Sequence, residues 1–174
     1  MTRLILNREH LEGVLVEALR ACRHRLFIVT ANVKDLHLPA GAGRARSIVD
    51  VFDELSDRGV EVRLLHSGVP SGPFLERLRA GVPENLTMRR CPRVHAKAVI
   101  ADGRAMYLGS ANLTGAGLGA KAAGRRNFEA GVWTDDVSLI DPVTDMLDGI
   151  WNGNQCRECG RKEHCPEPLE EPSL

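Results

Sequence analysis

Apolar residues recur along the chain with two different periods, and their alternation predicts an α/β fold. Leu11, Val14, Leu15, Ala18, Leu19 and Cys22 fall on one helical face, which predicts a helix from an Asn7 N-cap to about Arg23. The run Leu26 to Ala31 is short, apolar and strand-like. A loop is expected over Pro39 to Gly43. Helical spacing returns through Ile48, Val51, Phe52 and Leu55, so Ser47 to Arg58 reads as a helix stopped by Gly59. Val60 to Leu65 is a strand, Ser67 to Gly72 a turn, and Pro73 opens a short helix to Arg79. Leu86 to Arg89 and Phe128 to Thr134 are further strands. A last helix, capped by Asp135 or Asp136, presents Ile140, Val143, Met146, Leu147, Ile150 and Trp151 as its buried face. Strands alternating with helices imply a layered α/β domain.

Between Leu86 and Phe128 the order of residues carries chemistry as well as pattern. His95, Lys97, Asp102, Gly109, Ser110 and Asn112 stand in the spacing H-x-K-x4-D-x6-G-S-x-N. Apolar runs Ala98 to Ala101 and Ala105 to Leu108 flank Asp102-Gly103, a hairpin signal that folds the Gly109 to Asn112 segment back beside His95 and Lys97. Asp102 therefore reads as a structural turn residue. Phosphodiester cleavage needs a nucleophile, an acid for the departing oxygen, and donors for the phosphoryl oxygens. An imidazole at His95 supplies the first, Lys97 a cation two residues on, and Ser110 and Asn112 a hydroxyl and an amide for the same phosphate.

This spacing resembles the signature of the phospholipase D superfamily, in its branch of small nucleases with one motif copy per chain. The resemblance implies an α-β-α domain with a mixed central sheet over residues 1–152, and attack by histidine through a phosphohistidine. It implies structural roles for Asp102 and Gly109. It also implies an acidic residue after the motif that orients the catalytic histidine, for which Glu129 in Asn127-Phe128-Glu129 is the match. Glu129 paired with Arg125 or Arg126 is the bland reading. Members with two motifs use two histidines, one attacking and one protonating the leaving group. This chain has one motif, and His10, His24, His37, His66 and His164 lack its context. A two-fold homodimer with His95 of both chains facing one phosphate is the expectation. Since the motif supplies nucleophile and cation, no divalent metal is expected in the chemistry.

Charge then bears on the substrate. Lysine plus arginine and aspartate plus glutamate number 23 each, but Leu86 to Arg126 holds eight bases and one acid, Asp102. A basic region around the motif favours a polyanion, and Arg93, Lys121, Arg125 and Arg126 are the candidate substrate-binding residues. DNA or RNA is thus the expected substrate. Solubilising strand-edge arginines are the bland alternative. A phospholipid hydrolase or transferase is the competing enzyme, and it would be expected to carry an amphipathic or aromatic membrane surface. Trp133 and Trp151 fall on buried faces instead, and the Gly/Ala-rich loop 115–124 is too small-sided to anchor in a bilayer. No 18-residue apolar run or secretory leader is evident, so a cytoplasmic protein without a membrane partner is expected. A non-catalytic nucleic-acid-binding module is the reading from another class. The chain also resembles phospholipase D-like components of bacterial anti-phage defence systems, which would imply further protein partners.

Residues 153–174 form a separate cysteine-rich tail. Cys156, Cys159, His164 and Cys165 lie within ten residues and make a candidate structural zinc knuckle, with an iron-sulfur cluster as the second choice. Free thiols or a disulfide are the alternatives. Cys22 and Cys91 read as packing residues, although Cys91 could complete such a site. Beyond Cys165 the acids and prolines predict an unstructured end.

Overall fold

The computed structural model describes residues 1–40, 44–172 and 174. Seven strands form one mixed sheet in the order β1-β9-β8-β7-β2-β5-β6. They are β1 (Thr2–Leu6), β2 (Arg25–Thr30), β5 (Glu61–His66), β6 (Leu86–Arg90), β7 (Lys97–Ala101), β8 (Ala105–Gly109) and β9 (Ala130–Thr134). The pairs β2–β5 and β5–β6 are parallel. Those from β2 through β7, β8 and β9 to β1 are antiparallel.

Strand alternation divides the core. Leu26 and Ile28 of β2, Val99 of β7 and Tyr107 of β8 join one cluster with Leu15, Ala18, Phe52, Leu55, Phe74 and Leu78. That face is covered by the segment Leu11–Val16 with α1 (Glu17–Ala21), by α2 (Ile48–Asp57) and by α3 (Gly72–Ala80). Phe27 and Val29, Ala98 and Ile100, and Met106 point the other way, onto Ile140, Leu147 and Trp151 of α4 (Val137–Trp151). Every residue of β7 is buried, as expected for a central strand covered on both faces. The α-β-α layering with a mixed sheet expected from the sequence is borne out.

Local signals explain most elements. Ser47 caps α2 through Val49 N, and Asp50 returns a bond to Ser47 N, a complete capping box. Asp136, rather than Asp135, caps α4. Asp102 and Gly103 both have positive φ, 54° and 66°, in the three-residue turn 102–104 that joins Ala101 to its partner Ala105.

The departures are at the edges. Asn7 does not cap the first helix; it has φ 50° and its amide oxygen accepts from Glu129 N at 3.2 Å. The helix is π-wound over Leu11–Val16, where Arg3 donates to the freed Gly13 carbonyl at 2.8 Å. β1 was not anticipated, because only Ile5 of its five residues is buried. The expected loop Pro39 to Gly43 begins inside a small hairpin, β3 (His37–Pro39) with β4 (Ala45–Ser47), and residues 41–43 lie outside the described residues. On α4, Met146 is 52% exposed and not part of the buried face. The tail holds one short 3₁₀ turn, Lys162–His164, but its end is tied down: Arg90 N donates to Glu170 O at 3.0 Å, and Arg90 pairs with the Glu170 carboxylate.

Candidate active site

Strand direction gathers the motif at one end of the sheet. Lys97 opens β7 opposite Gly109, which closes β8, and Gly109 faces Gly131 near the start of β9. A Cβ on Gly109 would collide with Tyr107 Oη and lie 2.7 Å from Ala130 O, so this position admits only glycine. The parallel strands β2, β5 and β6 end at the same edge.

His95 is exposed just ahead of β7, whereas Lys97 is buried. Lys97 Nζ donates to His95 O at 2.7 Å and stands 3.3 and 3.4 Å from His95 Nδ1 and Nε2. Burial lowers the Lys97 pKa, and the charge of Glu129 opposes that shift. Ser110 Oγ donates to Glu129, and accepts from Ala130 N at 3.0 Å. Asn112 accepts through Oδ1 from Ala31 N and Asn32 N, both at 3.1 Å, and from Thr30 Oγ1 at 3.2 Å. Those bonds fix the amide plane and leave Nδ2 without a partner among the described residues. Asn112 thus locks the end of β2 and keeps one donor for a ligand.

Glu129 is 9% exposed, but its partners differ from the expected one. Its carboxylate is taken by Ser110 and by Asn127 Nδ2 at 3.0 Å, while the His95 ring faces Lys97. Glu129 makes no hydrogen bond to His95, and no ion pair with Arg125 or Arg126, among the described residues. Asp102 lies at the other end of β7, where it accepts from the N–H groups of Arg23, His24 and Arg25 at 2.8, 2.8 and 2.9 Å and from Cys22 Sγ at 3.4 Å. Burial resists its ionisation, yet those donors bring its pKa to about 2.

The structure disperses the basic run. Arg104 sits at the Asp102 turn, and Arg89 donates to Trp151 O at 2.6 Å with its guanidinium 4.7 Å above the indole. Arg90 is paired with Glu170. Arg93 lines an open cleft of about 320 Å³ with His95, Ser67 and Arg161. Arg161 was missed by the sequence reading, because only the folded-back tail brings it there. Lys121, Arg125 and Arg126 are on the loop before Glu129; Arg126 Nε donates to Lys121 O at 2.5 Å, while Lys121 and Arg125 are exposed.

Of the candidate tail ligands, His164 is 63% exposed, stands 3.1 Å from Glu163, and does not line the cavity that the cysteines share. Cys156, Cys159 and Cys165 line one cavity together with Cys91. No three His, Cys, Asp or Glu side chains stand at coordinating distance among the described residues.

A buried lysine against an exposed histidine thus stands at one end of a central strand, as the motif spacing leads one to expect, and comparison supplies the family. Residues 15–151 match the family model described as cardiolipin synthase, PLD-like domain. The chain belongs to the phospholipase D-like domain family. NucT from Helicobacter pylori is similar in structure, with a TM-score of 0.65 and 15% identity over 87% of this chain and 96% of that one. Nuc from Salmonella typhimurium, a phospholipase D family member, gives 0.58 and 15% over 87% and 94%. TrmBL2, an archaeal chromatin protein with its own mode of DNA binding, gives 0.53 and 16% over 87% and 52%. Comparison with curated proteins gives no match. No helix of the described residues is long and apolar enough to cross a membrane.

Proposed function

We propose that the protein is a nuclease that cleaves DNA, with RNA as the second substrate, through a phosphohistidine at His95. The observation that carries this reading is the Lys97 ammonium held against the His95 ring, with Asn112 Nδ2 left without a partner among the described residues. A ring nitrogen of His95 attacks phosphorus, the bond to the leaving oxygen breaks, and that oxygen takes a proton. Lys97 and Asn112 Nδ2 stabilise the charge on the non-bridging oxygens. Water then attacks the phosphohistidine and frees the phosphate end. Glu129 acts in this scheme on Ser110 and on the charge of Lys97, and its contact to His95 would form only after the ring turns to the substrate.

The leaving-group acid is His95 of a second copy, because a single motif supplies one histidine. Support for a two-fold dimer comes from the open cleft and from Phe128, 96% exposed and adjacent to Glu129. Nucleic acid is favoured over phospholipid by Arg93 and Arg161 beside His95, and by the DNA-binding likeness of TrmBL2. Incubation with labelled single- and double-stranded DNA and RNA in EDTA tests the reading: cleavage by wild type that disappears in His95→Ala is expected. Binding without cleavage would make the protein a nucleic-acid-holding module, as in a defence complex. Turnover of phosphatidyl substrates alone would make it a lipid enzyme.

A further inference from the structure

Four of the five cysteines line one cavity, although no three of them stand at coordinating distance as the chain lies. Cys91, immediately after β6, and Cys156, Cys159 and Cys165 of the tail line a cavity of about 130 Å³, and all four thiols are free. The fifth, Cys22, is buried on the first helix beside Asp102. The charge around the four is one-sided: Arg90, Arg93, Arg161 and Lys162 line the same cavity, and no carboxylate does. One hydrogen-bond donor already aims at sulfur, Arg93 Nη1 at 3.7 Å from Cys159 Sγ.

Arg90 is already paired with Glu170, but four neutral thiols would leave Arg93, Arg161 and Lys162 without a counter-charge in this cavity. The tail is too short to bury a core of its own, so it requires a staple. We propose that Cys91, Cys156, Cys159 and Cys165 bind a Zn²⁺ ion that ties the tail to the end of β6, with His164 outside the ligand set. Four thiolates around one Zn²⁺ carry a net charge of about −2, which the neighbouring arginines and Lys162 offset. The sulfurs contract onto the ion at about 2.3 Å as it binds, drawing the exposed tail inward. Arg161 lies two residues beyond Cys159 and lines the cleft with His95, so the ion also fixes a cation at the active site. Only this last consequence rests on the nuclease reading.

The test is metal content, which is independent of cleavage. Full-length chain from zinc-supplemented culture is analysed by elemental mass spectrometry, alongside Cys91→Ser, Cys165→Ser and His164→Ala. About one zinc per chain is expected in wild type and His164→Ala, with occupancy lower by roughly tenfold or more in either cysteine variant. Should a cysteine variant fail to fold, wild-type thiol labelling decides: Cys91, Cys156, Cys159 and Cys165 should be protected until a strong chelator is added. Co²⁺ replacing the metal should give the visible spectrum of tetrahedral thiolate ligation. Absence of metal with freely reacting thiols, zinc retained in Cys91→Ser but lost in His164→Ala, or iron in place of zinc would each overturn the proposal.

Discussion

Asp102 and Lys97, at opposite ends of β7, are both charged groups drawn out of water, and the backbone treats them in opposite ways. Three N–H donors surround Asp102, so its folded pKa of about 2 lies below the ordinary 3.8. A carboxyl shifted down stabilises the fold above pH 3.8, and that contribution disappears as pH falls toward 2. At one pKa unit per 1.36 kcal/mol the contribution is about 2 kcal/mol at neutral pH. Asp102→Asn should lose about that much in urea unfolding at pH 7, the difference from wild type narrowing as pH approaches 2. Cleavage per folded chain should be unchanged; a large loss there would return Asp102 to the chemistry. Lys97 has the reverse balance, since burial lowers its pKa from 10.5. The cation is needed for the phosphate, so activity should fall as pH rises through a value below 10.5. Lys97→Met should reduce kcat/KM by roughly 10² to 10³, the range for a lost charge-stabilising donor, with no fall in melting temperature. A drop in stability of the same variant would mean that Lys97 serves the fold.

The hairpin β7–β8 shows why some elements are legible and others are not. An Asp-Gly turn between two apolar runs specifies its own geometry within ten residues, and so does the Ser47 capping box that opens α2. β1 depends for its pairing on β9, 124 to 132 residues away, and one buried side chain leaves no period to read. The same limit applies to the site: His95, Lys97, Ser110 and Asn112 were readable because one hairpin brings them together, whereas Arg161 and Cys91 reach their neighbours only through the tail's return. Glu129 was found, but its hydrogen-bond partner depends on side-chain packing that no spacing encodes. Glycine provides an element-level check. Gly109→Ala should destabilise by about 1–3 kcal/mol, because its Cβ meets Tyr107 and the β9 backbone, and it should displace Ser110 with a matching loss of cleavage. Gly149→Ala, in α4 where a Cβ would make only an ordinary contact at 3.7 Å with Asn154 Nδ2, should instead raise stability by about 0.5–1 kcal/mol. Thermal melts of the two variants side by side would decide whether close approach or helix propensity governs each position.

For the molecule as a whole, the proposed half site per chain would make activity a property of pairs. The cleft at His95 is open, and among the described residues nothing in the same chain offers a second motif histidine to protonate a leaving group. His10 and His66 are fully buried, and His24 lies beside the Asp102 turn at the far end of β7. If both histidines of a dimer act on one phosphate, a wild-type chain paired with His95→Ala cannot complete the reaction. Subunits that exchange freely then distribute by chance. With a tenfold excess of His95→Ala, only about one tenth of wild-type chains retain a wild-type partner, and activity per wild-type chain should fall by about that factor. The experiment is a titration of inactive chain into a fixed amount of active chain, after incubation long enough for exchange, with light scattering used to follow association. Cleavage proportional to wild-type chain at every ratio, in a sample shown to exchange, would mean that each chain completes the reaction alone. The leaving-group proton would then have to come from within the chain.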